Sequence, residues 1–332
     1  MHNPLSIIVF IVVLVIVFDF INGFHDTATA VATSISTRAL TPRAAILLCS
    51  IFNFIGAFNG TAVAKTVGDN IVNHTSIPQW VLIIVIIASI IWNIITWYFA
   101  IPSSSSHGLI GSLVGGAMAY TFTINVVNWH NFFYSVVLWL FLSPVIGFIV
   151  GYFFMVLLNW ILRPFKFRIV NKVFLKLQVL AAAFMALNHG GNDAQKSMGI
   201  ITMALLSGGF ISTFKVPVWV IVCCALAMAL GTTIGGKKII KTMGCGMTKL
   251  SPVNGFAAQT GAALVILGAT LFHAPVSTTH IISTSIMGVG ASKRIKSVKW
   301  EVAKNIVWTW VLTIPITALI AGIMVFIVKN FI

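Results

Sequence analysis

Only five residues among 332 are acidic, and two of them, Asp26 and Asp193, stand in matching polar stretches of an apolar chain. The first stretch reads Asn22-Gly23-Phe24-His25-Asp26-Thr27, the second Asn188-His189-Gly190-Gly191-Asn192-Asp193. A carboxylate inside a bilayer is costly on any scale, so an acid-bearing interruption used twice points to an ion and substrate site. Glycines at 23, 190 and 191 let the backbone leave helical geometry. Unwinding there is expected to free carbonyls for a cation, while the next helix start offers N–H groups to an anion. Asn22, His25, Asp26, Thr27, Asn192 and Asp193 form the expected cation-binding set. A kinked helix with a satisfied polar cap is the plainer account of either stretch alone; recurrence at related positions argues against it.

A second pair of motifs supplies hydroxyls. Pro102-Ser103-Ser104-Ser105-Ser106-His107 is matched by Pro275-Val276-Ser277-Thr278-Thr279-His280. Hydroxyls at a helix start cap it, but four consecutive serines exceed what one cap needs. Stacked hydroxyls with helix-start amides make a cradle for a tetrahedral oxyanion without trapping it by net charge. Ser104, Ser105, Ser106, Ser277, Thr278 and Thr279 are the candidate anion-binding residues. His107 and His280 could donate to the anion, carry a proton, or simply pack. Lys196 follows Asp193 by one helical turn and can pair with it or face the anion. Gln195 either binds substrate or satisfies backbone. Asp19 either supports the first motif or snorkels, and Asp69 reads as a turn or cap residue. A hydrolase built on Ser105 or Ser277 with His107 or His280 is disfavoured: Ser-x-His and Ser-x-x-His place the pair differently, and no orienting acid is near. No enzymatic activity is expected. Cys49, Cys223, Cys224 and Cys245 have no metal-ligand spacing, and neither a resident metal nor a cofactor is expected.

The elements that must hold these residues are membrane helices. The chain is 59% hydrophobic and 8% charged, with a mean hydropathy of +1.04, outside the range of soluble domains. The apolar run from Leu5 to Ile21 has no preceding Lys or Arg and no small-residue cleavage site, so it is expected to stay in the mature chain. A net charge of +15 would suit nucleic acid in a soluble protein. Here the basic residues lie in short loops, so they report topology and no nucleic-acid partner is expected. The motifs recur in order at nearly one offset. Asp193 lies 167 residues after Asp26, Lys241-Thr242-Met243-Gly244 lies 176 after Lys65-Thr66-Val67-Gly68, and His280 lies 173 after His107. Such recurrence marks a duplicated unit, with residues 1–162 as the first repeat, 163–176 as a cytoplasmic basic linker and 177–332 as the second repeat. Apolar segments are expected near 5–21, 26–37, 44–64, 80–101, 104–121 and 133–158, then 173–187, 193–208, 217–236, 255–273, 278–291 and 303–328. Loops 237–249 and 293–304 are rich in Lys and Arg where their first-half counterparts are poor, and Arg38 and Arg43 reverse the bias. Equivalent loops on opposite sides imply inverted repeats. The expected fold is therefore an all-α polytopic membrane protein of two inverted-topology repeats with broken helices or re-entrant hairpins, set in the cell membrane with both termini outside. So extensive an apolar surface permits a homodimer.

At these residues the chain resembles the inorganic phosphate transporter (Pit) family, in its bacterial low-affinity branch. Asn22-Gly-Phe-His-Asp-Thr-Ala28 is similar to the family's first signature and Asn188-His-Gly-Gly-Asn-Asp-Ala-Gln-Lys196 to its second, and the likeness covers both halves. The resemblance implies a secondary active transporter that imports inorganic phosphate by cation symport, with phosphate entering as such or as a neutral complex with a divalent metal. The family usually has Asn three residues after the first signature Asp; this chain has Thr29. The missing amide favours H+ over Na+ as coupling ion. A Na+-coupled symporter and an anion or metal-ion channel are the alternatives.

Overall fold

The computed structural model describes residues 4–234, 240, 247–248 and 250–331. The Lys237–Lys249 loop bias and the Lys241–Gly244 match, with Cys245, fall outside the described residues apart from 240, 247 and 248. The described chain is helical, and six helices are long and apolar enough to cross a membrane. These are α1 (Pro4–Ser36), α4 (Gln79–Tyr98), α6 (Trp129–Leu162), α7 (Phe167–Ser207), α9 (Pro252–Leu271) and α11 (Trp300–Phe331). Between them lie α2 (Pro42–Gly56), α3 (Ala62–Lys65), α5 (Ser105–Thr121), α8 (Val218–Ile234) and α10 (Thr278–Ala291). α7 begins at Phe167, so Arg168, Lys172 and Lys176 ride on its first turns.

One expectation fails. Neither polar motif breaks its helix: α1 runs unbroken through Asn22–Asp26 and α7 through Asn188–Asp193. The expected segments 5–21 and 26–37 are one helix of 33 residues, and 173–187 and 193–208 are parts of one helix of 41. The reason is that polar side chains here bond to their own helix carbonyls instead of replacing them. Thr29 Oγ1 donates to Asp26 O at 2.7 Å, Asn188 Nδ2 to Phe184 O at 2.8 Å and Gln195 Nε2 to Gly191 O at 2.6 Å. The motif glycines serve close approach. A Cβ on Gly23 would sit 2.3 Å from Met228 O in α8, and one on Gly190 would sit 2.3 Å from Asn53 O in α2.

The polar motifs lie between two separate apolar cores. α1 passes from the first core, ending at Phe18, to the second, starting at Ala28. α7 passes the other way, from Val170, Phe174, Met185 and Ala186 in the second core to Ala194 and Met198 in the first. The two motif helices thus traverse the same layers in opposite directions.

The hairpins appear as expected. α4 descends through the first core at Val81 to Ile86, and α5 climbs back into that core at Leu109 to Ala117. α9 and α10 do the same in the second core, with Val253 to Ile266 answered by Ile281 to Ala291. Each hairpin therefore turns at the polar layer. α5 packs along α11 and α10 along α6, so each half clasps the other's hairpin. α1 packs on α8 as α7 packs on α2. Small residues allow these close crossings, the usual means of helix association in lipid.

Candidate functional site

The start of α5 and the start of α10 meet at the polar layer beside the two aspartates. Ser104 and Ser277 are the N-caps: Ser104 Oγ accepts from His107 N at 3.2 Å and Ser277 Oγ from His280 N at 3.3 Å. These two hydroxyls are thereby committed to their own helices. The next pair points at the acids. Ser105 Oγ donates to Asp26 Oδ2, and Thr278 Oγ1 donates to Asp193 Oδ2 at 3.2 Å. The third pair crosses between halves. Thr279 Oγ1 donates to Asp26 Oδ1 at 3.3 Å, and Ser106 Oγ accepts from Lys196 Nζ. Lys196 Nζ also donates to Asp193 Oδ1 and to Val276 O, the latter at 2.7 Å.

Each aspartate has an imidazole as well. His25 Nδ1 lies 2.7 Å from Asp26 Oδ1, and His189 Nε2 lies 3.2 Å from Asp193 Oδ2. Asn22 Oδ1 is 2.8 Å from Ser105 Oγ. All four carboxylate oxygens are engaged, and every residue of the group is buried, Lys196 to 2% exposure. Charged groups this deep persist only when paired and hydrogen-bonded, and here both conditions hold.

Several expected site residues lie elsewhere. Thr27 Oγ1 accepts from Asn53 Nδ2 at 3.0 Å and contacts Thr232 Oγ1 at 3.1 Å, on the α2–α8 side of α1. Asn192 Nδ2 donates to Thr270 Oγ1 at 2.9 Å and Ala274 O at 3.2 Å, pinning the tip of the α9–α10 hairpin. Gln195 Oε1 accepts from Val63 N at 2.8 Å, tying α3 to α7. His107 and His280 stack near each other with ring centroids 5.0 Å apart, and His280 lies 4.1 Å from the Trp310 ring. Neither imidazole has a hydrogen-bond partner among the described residues.

Sequence reasoning missed the outer supports. Thr96 Oγ1 lies 3.1 Å from His25 Nε2 and accepts from Ser103 Oγ at 2.9 Å. Asn53 Oδ1 lies 3.1 Å from His189 Nδ1. His189 sat inside the second motif and could have been found as an acid partner from its i, i+4 spacing to Asp193. Thr96 and Asn53 carry no local signal, being single polar residues in apolar runs.

The sequence profile of the phosphate transporter family matches twice, over residues 22–170 and 163–321. The chain belongs to the phosphate transporter family. A probable low-affinity inorganic phosphate transporter from Bacillus subtilis is 47% identical over 328 residues, with 98% of each chain covered. One of the same description from Rhizobium meliloti is 43% identical over 325 residues, with 96% of each covered. A solved structure described as the sodium-dependent phosphate transporter superposes with a TM-score of 0.86 at 22% identity, covering 98% of this chain and 100% of the other. The fold is therefore shared with that protein. This member of the phosphate transporter family is a multi-pass membrane protein, and its relatives are named as transporters, not enzymes.

Proposed function

We propose that the chain is a secondary carrier that imports inorganic phosphate by symport with protons, using two inverted repeats that meet at the Asp26–Asp193 layer. One observation carries the reading. The buried Lys196 ammonium is shared by the Asp193 carboxylate, a hydroxyl from the opposite half and a backbone carbonyl, beside two helix starts. Asp193 and an incoming phosphate compete for that ammonium. A proton on Asp193 frees Lys196 for a phosphate oxygen, with Ser105, Ser106, Thr278 and Thr279 able to turn their hydroxyls to the anion. Proton binding and phosphate binding thereby favour each other, which is the thermodynamic content of symport.

Protons suit this site better than Na+. Hydrogen-bond donors or imidazole nitrogens already contact all four carboxylate oxygens. Ser105 has a single hydroxyl proton yet sits between Asn22 Oδ1 and Asp26 Oδ2. With the Asn22 amide oxygen facing it, a proton on Asp26 satisfies both contacts. The opposite traverse of α1 and α7, and the clasp of each hairpin by the other half, support the inverted arrangement. The cationic segment Arg163 to Lys176 belongs in the cytoplasm by the positive-inside rule, which places both termini outside.

Radiolabelled phosphate uptake into proteoliposomes, with pH and Na+ gradients imposed separately, tests the proposal. Uphill uptake driven by the pH gradient is the expected result; a channel would give none. In Asp193→Asn, Lys196 is freed permanently, so the coupling of phosphate binding to a proton at Asp193 is lost and accumulation driven by the pH gradient falls. An Asp193→Asn protein that accumulates phosphate normally would end the proposal. Parallel runs with and without Mg2+ separate free phosphate from a metal complex.

A further inference from the structure

Asp19 is the one buried carboxylate among the described residues that the site above does not use. It sits two helical turns before Asp26 on α1 and is fully buried. Ser197 Oγ, on α7 next to Lys196, donates to Asp19 Oδ1 at 2.6 Å. Oδ2 accepts no hydrogen bond among the described residues. Cys224 on α8 is its other neighbour, and Asp193 and Lys196 on α7 are the charged groups that act on it from further away. α4, also packed on α1, carries no acid, amine or imidazole. Among the described residues no cation touches Asp19: Lys196 is committed to Asp193 and Ser106.

Comparison of the two halves argues that this acid is not there for packing. At the 167-residue offset of the motifs, Asp19 corresponds to Ala186 and Ser197 to Ala30. Both alanines are buried. Where one half of the scaffold places two methyl groups, the other places a carboxyl and a hydroxyl. A carboxyl with one hydroxyl donor and a sulfur neighbour lacks the oxygen shell a metal cation or Na+ requires. A proton needs no shell, and it removes the large cost of an unpaired carboxylate in an apolar wall.

We propose that Asp19 is a proton-binding site separate from the Asp26–Asp193 layer. In the closed state it is held as a neutral acid against Ser197, its proton on Oδ2, and it gives up that proton when α1 and α7 part and water reaches it. This rests on the proton-symport reading above and adds one proton to each transport cycle.

Two measurements decide it. Infrared difference spectroscopy of the purified full-length protein at neutral pH should show a carboxylic C=O band that Asp19→Asn lacks; a wild-type spectrum without an Asp19-dependent band means an ionised Asp19 and overturns the proposal. In proteoliposomes, the pH gradient at which net phosphate flux reverses gives the proton-to-phosphate ratio, expected to fall by one in Asp19→Asn. The double variant Asp19→Ala/Ser197→Ala copies the alanine pair of the other half, and its folding is checked by size exclusion. It should show the same lower ratio should the single variant not fold. Proton-driven uptake with an unchanged ratio in the variant overturns this inference alone. Wild-type uptake with no response to the pH gradient takes down the symport reading and this inference together.

Discussion

Removing the Lys196 ammonium is the sharpest perturbation available. Its Nζ has three acceptors, one of them a carboxylate, and the side chain is 2% exposed. In Lys196→Met the stem keeps much of its volume while Asp193 loses its cation, retaining only Thr278 and His189. Breaking one partner of a buried pair costs about 3–5 kcal/mol, because the remaining charge is uncompensated; replacing both by apolar residues is often neutral or stabilising. Lys196→Met should therefore lower stability by about 3–5 kcal/mol, and Asp193→Leu/Lys196→Met should recover most of that loss. Equilibrium unfolding in mixed detergent micelles at neutral pH, followed by tryptophan fluorescence, reads both. Neither variant should bind phosphate well. A charge-assisted hydrogen bond contributes about 1.5–3 kcal/mol, so loss of the ammonium weakens binding roughly ten- to hundred-fold. The reasoning is refuted by a Lys196→Met protein as stable as wild type, or by a double variant no more stable than the single. Either result would mean that Asp193 is not the charge Lys196 neutralises.

Two further outcomes probe the layout. Ser105→Ala and Thr278→Ala remove the repeat-related hydroxyls on Asp26 and Asp193; each should weaken phosphate binding by roughly two- to tenfold, the scale of one hydrogen bond, measured by equilibrium binding of radiolabelled phosphate, and unequal effects beyond that range would deny the two halves equivalent roles. Gly56→Ala and Gly231→Ala would set a methyl 2.0 Å from Leu187 O and 1.9 Å from Phe20 O; backbone cannot yield there without parting α2 from α7 and α8 from α1, so both should cut the yield of monodisperse protein in detergent, whereas Gly268→Ala, with nothing nearby, should not.

The membrane class, and many of the residues that the fold gathers at the candidate site, were legible because they rest on chemistry visible along the chain. Acids in apolar runs, hydroxyls after proline and recurrence at one offset need no contact map. The course of α1 and α7 was not legible. Asn22-Gly23 and Gly190-Gly191 look like breaks on local propensity, yet tertiary packing overrides it: the glycines are where α8 and α2 press against these helices. The roles of individual polar residues were equally hidden. Thr27 and Asp26 are adjacent in sequence but face Thr232 and Ser105 respectively. Only the helical phase separates a residue in the site from one that staples two helices. Asp19 was left open because its partner, Ser197, lies 178 residues away.

The two aspartates stand in matching motifs, but the two halves of the chain do not hold them alike. The position three residues after Asp193 is Lys196, whose ammonium neutralises that carboxylate directly. The position three residues after Asp26 is Thr29, whose hydroxyl turns back to the helix and leaves the acid alone. Asp26 is left with the His25 imidazole, at 2.7 Å. Thr279 and Ser105 supply its remaining hydrogen bonds without charge. Both carboxylates have an imidazole beside them, but among the described residues only Asp193 has an ammonium. Matched positions in the two halves thus give one acid neutralised by a fixed cation and one acid held by hydroxyls and an imidazole. That difference in charge, not a difference in imidazole partners, separates the two acids. It follows from a single side chain at each of two matched positions, Thr29 and Lys196.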